Sequence, residues 1–299
     1  MSRLKRKKKF GIADVIIYVV LVLLALVTLY PVLNSLAISL NDANDTARGG
    51  VGIWPRKFTI QNYVIIAKNQ LLYHAYLITI LRTAIGASLS VLATGMLGYG
   101  LSKSELLGRK IYMTLCIITM YFSGGLIPFY LLIKSLHLTN NFLVYIIPNL
   151  ISVWNMIIMI TFFKGLPDSI EESAKIDGAG YFTIFSRIII PVSAPIIATI
   201  GLFNCVFQWN SWFDASIYVT KQSLKPVQSI LISIISSSKF AEEISKAGPA
   251  ATQLSRLNMV NVRSVTMATM IVTIVPIIMI YPFLQKYFVK GIMIGSVKG

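Results

Sequence analysis

Acidic residues are scarce in this 299-residue chain: 11 Asp and Glu stand against 27 Lys and Arg, for a formal net charge of +16. Charged residues of both signs make up only 13% of it, about half the share of a soluble domain. That excludes a water-soluble enzyme and a disordered chain. Cysteine is nearly absent too. Cys116 and Cys205 both lie inside apolar runs, so a disulfide framework is excluded and both thiols read as small hydrophobes. The two histidines, His74 and His137, fall in outer loops, and no Cys/His/carboxylate cluster has metal-ligand spacing. No Gly-x-x-x-x-Gly-Lys-Ser/Thr sequence occurs, so nothing here cradles a nucleotide phosphate. Ser, His and Asp are scattered over different loops. Neither catalysis nor a cofactor in this chain is expected. The cations flank apolar segments rather than sharing one soluble face, so nucleic acid is not the expected partner.

What is abundant is apolar. The hydrophobic share is 56% and the mean hydropathy +0.73. Six apolar runs cover residues 12–40, 75–101, 111–133, 142–163, 195–213 and 265–288. Each is long enough to cross about 30 Å of hydrocarbon as a helix. An all-α protein with six transmembrane helices, surrounded by membrane lipid, is expected. Continuous runs, rather than alternating strands of about 10 residues, argue against a β-barrel. The first run is longer than a signal-peptide core of about 7–15 residues. It is therefore read as an uncleaved span, although Ser35-Leu36-Ala37 resembles a cleavage site.

Lys and Arg counts set the orientation. With the N-terminus inside, inner segments carry 15 of the 27 cations and outer segments 11, with Arg82 inside a span. Six of the outer 11 sit in one long loop, and excess in short loops matters most. The expected frame is a cytoplasmic basic N-terminus at 1–10, a membrane domain at 11–290 and a cytoplasmic tail at 291–299, in the cytoplasmic membrane. The apolar stretch 227–235 is too short to span and reads as an external amphipathic helix. Gly95-Met96-Leu97-Gly98-Tyr99-Gly100 has no strand before it, so close helix packing is its expected role.

Residues 164–194 form an inner connection too long for a plain loop. The pattern is helix, break, helix. Pro167 and Asp168 set up a start, with a capping box from Ser169 and Glu172 or, in the other register, Asp168 and Glu171. Gly178 stops the first helix. The second fits about 181–190, ended by Pro191, with Phe182, Phe185 and Ile189 on one face. Ser173, Ala174, Gly178 and Ala179 are small enough to let a partner approach. Pattern alone leaves two readings open: a paired-helix unit that fills a groove in another protein, or a surface hairpin that packs only on the membrane side.

Glu172-Ser173-Ala174, then Asp177-Gly178-Ala179, then Ile189-Ile190-Pro191 resembles the Glu-Ala-Ala signature of ABC-importer permeases. Ser173 replaces the first alanine and Ile190 the usual leucine. The stretches 122–128 and 209–215 resemble the oligosaccharide and polysaccharide branch of carbohydrate importers. The end, 291–299, resembles the tail of the maltose-type second permease subunit. The resemblance runs across essentially the whole chain and implies a type I ABC-importer permease fold. It also implies that Glu171, Glu172, Ser173, Ala174, Asp177, Gly178, Ala179 and Pro191 belong to a coupling segment seated in an ATPase cleft. The tail Gly295, Ser296, Val297, Lys298 and Gly299 would be a second ATPase contact. The implied partners are a second homologous permease subunit, two ATP-binding subunits holding ATP and Mg, an extracellular solute-binding protein and an oligosaccharide.

Polar residues inside the spans must face the bundle or water. Arg82 is expected to snorkel to the outer surface. Asn155 and Asn204 either bond between helices or line a substrate pathway, to which Gln208, Trp209 and Trp212 are also assigned. Phe207, Trp209, Trp212 and Phe213 read first as an interfacial belt and second as stacking surfaces for sugar rings. Ser123-Gly124-Gly125 with Pro128 is expected to bend the third helix. The rival function is a secondary transporter working alone, which needs a membrane-embedded carboxylate to bind its driving cation. No Asp or Glu lies deep in a run.

Overall fold

The structure is a computed structural model that describes residues 11–246 and 263–279. The described chain is helical. Its helices are α1 (Ile12–Ser39), α2 (Ala43–Ala47), α3 (Gln61–Ala67), α4 (Gln70–Ser102), α5 (Arg109–Tyr121), α6 (Leu126–Ser135), α7 (Val153–Phe163), α8 (Ser169–Ile176), α9 (Tyr181–Val192), α10 (Ala194–Asn210), α11 (Phe213–Tyr218), α12 (Val227–Lys246) and α13 (Arg263–Met279). Two compact units result, residues 1–68 with 234–272, and 69–233 with 273–299.

In the first unit, α1 starts where the Gly11 N–H bonds Asp14 Oδ2 at 3.0 Å. Its apolar stretch has no residue buried inside the protein, as a lipid- or partner-facing helix would have. Pro31 lies inside α1 without ending it. The following polar stretch is not a slack loop. Asn41 is its hub: its Nδ2 donates to Asp45 Oδ2 at 3.0 Å and Thr46 Oγ1 at 2.9 Å, and its Oδ1 accepts from Lys57 N at 2.8 Å. Asn62 Nδ2 donates to the Ser39 and Asn41 carbonyls. The Asn41 bond, with Arg56 Nε 2.9 Å away, holds the Asp45 carboxyl below its ordinary pKa.

In the second unit α4 packs along α10 and α7. Its glycine-rich end permits this. A Cβ on Gly95 would sit 3.2 Å from Met159 Cε, and one on Gly98 would sit 3.5 Å from the Met156 carbonyl. Beside it Tyr99, Met159, Phe163, Ala174, Ile184, Phe185, Ile189 and Ile200 form one buried cluster. A second cluster joins Ile133, Leu138, Val144, Tyr145, Ala215, Tyr218 and Val219.

Three apolar runs are not single straight helices. The third breaks at 122–125, where Gly125 has φ +86°, and α5 and α6 meet at 115°. The Ser-Gly-Gly bend is present, and it is sharper than a kink. The fourth opens with two 3-10 turns, Phe142–Tyr145 and Ile147–Asn149, bent 48° from α7. The fifth ends at Asn210, and α10 lies at 86° to α9. By length and composition, the described residues hold two helices able to cross a membrane unaided, or up to five spans if each bent pair is one. The sixth run is described only to Met279, and the basic N-terminus and the tail from Gly291 lie outside the described residues.

Candidate functional site

Segment 164–194 folds as helix, turn, helix, as its pattern implies, but its ends are built differently. Neither capping box forms: Asp168 has helical φ and ψ and its side chain makes no cap bond. Glu171 turns instead to the C-terminal end of α4, where its Oε1 takes the Lys103 Nζ. The acidic first turn, Glu171 with Glu172, suits the positive end of the helix dipole without a cap. The other end is a complete Schellman closure. Ala179 N bonds the Ala174 carbonyl at 2.9 Å and Gly178 N the Lys175 carbonyl at 3.0 Å. That turn requires Gly178 at φ +79°, a conformation that L-residues other than Asn and Asp rarely adopt.

One side of α8 is anchored. Ala174 is buried against the cluster around Tyr99 and Phe185. The opposite side, Glu172, Ser173, Lys175, Ile176, Asp177 and Gly178, is exposed. Ile176 is 86% exposed, an apolar knob beside the glycine turn. A Cβ on Gly178 would meet nothing within 4 Å, so the space beyond it is open. Sequence reasoning missed Ile176, because an isoleucine on an amphipathic helix is normally assigned to the core.

The second helix corrects two expectations. It runs through Pro191 to Val192, and Phe182 is 70% exposed while Ile184, Phe185 and Ile189 are buried. The cause is a π turn over Phe185–Ile189. It widens the helix ahead of Pro191, relieving the ring's clash with the preceding turn, and its longer repeat shifts the buried face.

Arg82 corrects a third. It does not snorkel; it is fully buried. All five guanidinium hydrogens are used. Nε and Nη2 donate to Gln208 Oε1 at 3.1 and 3.0 Å, Nη2 to Asp214 Oδ2 at 2.6 Å, and Nη1 to Asp214 Oδ1 at 3.3 Å and the Ser211 carbonyl at 3.2 Å. Its Cζ lies 4.3 Å over the Tyr145 ring. Gln208 Nε2 completes the set on the Tyr145 carbonyl at 3.1 Å. Gly86 makes room, since a Cβ there would come within 2.7 Å of Gln208 Nε2.

The other pathway candidates are placed as follows. Asn204 is buried, accepts from Ser90 Oγ and donates to the Ile200 carbonyl. Trp209 is 8% exposed and its Nε1 bonds the Thr273 carbonyl at 3.2 Å, so it is no part of a surface belt. Asn155 is buried near the start of α7. Trp212 alone of the five keeps an exposed ring, edge-on to Phe213 at 6.0 Å. No cluster of three metal-ligating side chains occurs among the described residues. The tail 295–299 lies outside them.

The described residues combine long apolar helices, bent helix pairs and a small exposed helix closed by a glycine turn. Residues 91–294 match the family described as binding-protein-dependent transport system inner membrane component. The chain belongs to that family, and is a permease component of an ATP-binding-cassette importer. It is 36% identical to the polygalacturonan/rhamnogalacturonan transport system permease protein of Bacillus subtilis (strain 168), over 96% of this chain and 98% of that one. It is 24% identical to that organism's arabinooligosaccharides transport system permease protein, over 99% and 100%. Its fold matches a bacterial ABC transporter involved in the import of the acidic polysaccharide alginate, with TM-score 0.83 and 27% identity, covering 94% of this chain and 100% of that one.

Proposed function

We propose that this chain is one of two homologous permease subunits through which an acidic oligosaccharide enters the cell. The match to the polygalacturonan/rhamnogalacturonan permease over nearly the whole of both chains carries this reading, and the alginate importer agrees with it in charge class. An extracellular binding protein delivers the sugar, and two partner subunits bind ATP and Mg. Their closure pushes α8 and opens the spans outward, and hydrolysis restores the inward-facing state. The exposed row Glu172 to Gly178, with Ile176 as its apolar knob, is the surface offered to the ATPase, with the tail 295–299 as a second contact. Six spans and cytoplasmic termini belong to this reading. The spans follow from the six apolar runs and the orientation from the charge bias. Trp212 is the pathway residue whose ring is available for sugar stacking. Asn155, Asn204, Gln208 and Trp209 contribute to the pathway only if its helices rearrange.

The rival of a solitary secondary transporter is disfavoured by the carboxylates at the span ends: Asp14 sits in the first turn of α1, where it accepts from Gly11 N–H, and Asp214 is spent on Arg82 and not free for a driving cation. The test is uptake by cells lacking this chain. A labelled oligogalacturonide is expected to enter only when the chain is restored, and a neutral arabino-oligosaccharide to enter regardless. Equal oligogalacturonide uptake without the chain would reject the substrate reading.

A further inference from the structure

The ion pair between Lys103 and Glu171 joins two elements that the resemblance does not connect. Glu171 is on α8, and Lys103 caps the C-terminus of α4. Both side chains are mostly buried, 25% and 15% exposed. The Lys103 ammonium also lies 4.5 Å over the Tyr99 ring. That ring packs 5.3 Å from Phe185 and edge-on to Phe163 at 6.1 Å. The lysine is therefore held on one side by the coupling helix and on the other by the cluster that seats Ala174. A pair this sheltered is screened less than a surface pair.

The same helix has a second fixed point. Residues 82 to 103 span about 30 Å at 1.5 Å per residue. At the far end Arg82 grips Gln208, Ser211 and Asp214. Thr79, nearby on α4, accepts from Val227 N at 2.9 Å, and Tyr145, under Arg82, donates to the Leu224 carbonyl at 2.8 Å. So α4 has α8 attached at one end and the 211–227 hairpin, with the exposed Trp212, attached at the other. No proline interrupts it.

We propose that Lys103 is a positioning residue that makes α4 the lever between α8 and the 211–227 hairpin, so that displacement of α8 by a partner is delivered to the opposite end of the permease. This rests on the coupling reading of α8. In this role Lys103 contributes its charge, which Glu171 and the Tyr99 ring hold.

The test uses the assembled importer with Cys116 and Cys205 replaced by Ala and a reporter cysteine at Ser216, an exposed position of the hairpin. Its labelling rate is read with and without ATP and vanadate, alongside ATP hydrolysis per complex. In the parent the rate is expected to change on trapping. Lys103→Glu should reduce that change about tenfold, the size of a pair coupling of about 1.4 kcal/mol, with ATPase subunits still bound and hydrolysing, and Glu171→Lys should reduce it by a similar factor. Lys103→Arg should keep it, and the double reversal Lys103→Glu with Glu171→Lys should restore it. A purely structural pair would lower assembly, response and hydrolysis together. An undiminished response in both single variants, or no restoration in the double, overturns the lever. Absence of any ATPase from the parental complex would overturn the coupling reading itself and the lever with it.

Discussion

Gly178→Asp is expected to abolish sugar uptake while the chain still inserts in the membrane. Backbone strain supplies part of the effect. At φ +79°, a side chain costs about 1–2 kcal/mol, less for Asp than for most residues. The larger part is charge. Apart from its chain neighbours, no atom of the described residues lies within 4 Å of the new Cβ, so the carboxylate projects outward beside Asp177, into the face offered to the ATPase. An unpaired charge buried in a contact costs about 3–5 kcal/mol, which at 1.4 kcal/mol per decade is a loss of at least about hundredfold. Gly178→Asn separates the two causes, having nearly the same shape, tolerance of positive φ and no charge. It should retain much of the uptake. Uptake by Gly178→Asp at the parental rate, with its ATPase fully retained, would reduce the segment to an ordinary turn. Glu172→Ala belongs at the other end of the scale. Glu172 makes no cap, so within this chain only its dipole interaction, about 0.3–1 kcal/mol, is at stake, besides whatever it contributes to the ATPase contact.

Arg82→Leu is the other large effect, and it acts on stability rather than coupling. It strands the Asp214 carboxylate, whose side chain is only 12% exposed, and leaves Gln208 Oε1 and the Ser211 carbonyl without their donor. Removing one partner of such a pair costs about 3–5 kcal/mol, which should sharply reduce the folded permease recovered from membranes and lower its unfolding temperature in detergent. Arg82→Lys keeps the charge but loses the planar fork that serves Gln208 and Asp214 together, and should fall between. Replacing both charges, Arg82→Met with Asp214→Leu, should be milder than Arg82→Leu alone. An Arg82→Leu protein that unfolds at the parental temperature would show the cluster contributes nothing.

Arg82 also marks where sequence reading stops. Its partners Gln208 and Asp214 lie 126 and 132 positions away, and no local pattern couples them. Read alone, an arginine seven residues inside an apolar run snorkels. The polar stretch after α1 is opaque for the same reason. Its Asn41, Asp45, Arg56 and Asn62 look like ordinary loop polarity until the fold brings them together. Features written in local chemistry were legible. The runs at 12–40 and 75–101 became α1 and α4 because their apolar stretches are unbroken. Ser123-Gly124-Gly125 announced the break between α5 and α6, and Gly178 the turn after α8. Phe182 was put on the wrong face because a π turn changes the repeat on which the assignment depended. The Asp168–Glu171 capping box is absent because Glu171 has a stronger partner in Lys103 than an exposed backbone N–H.

If α8 is the surface that receives a cytoplasmic ATPase, a cross-linker on it must reach that subunit. In the assembled importer, freed of its native cysteines, Ile176→Cys carries a short thiol-directed photo-cross-linker, and Asn44→Cys in the first outer segment serves as the control. The account predicts an adduct between position 176 and the ATP-binding subunit, none from position 44, and labelling of position 44 but not 176 by an impermeant thiol reagent applied to intact cells. Labelling of position 176 from outside, or an assembled complex in which position 176 gives no ATPase adduct, would contradict both the orientation and the coupling role.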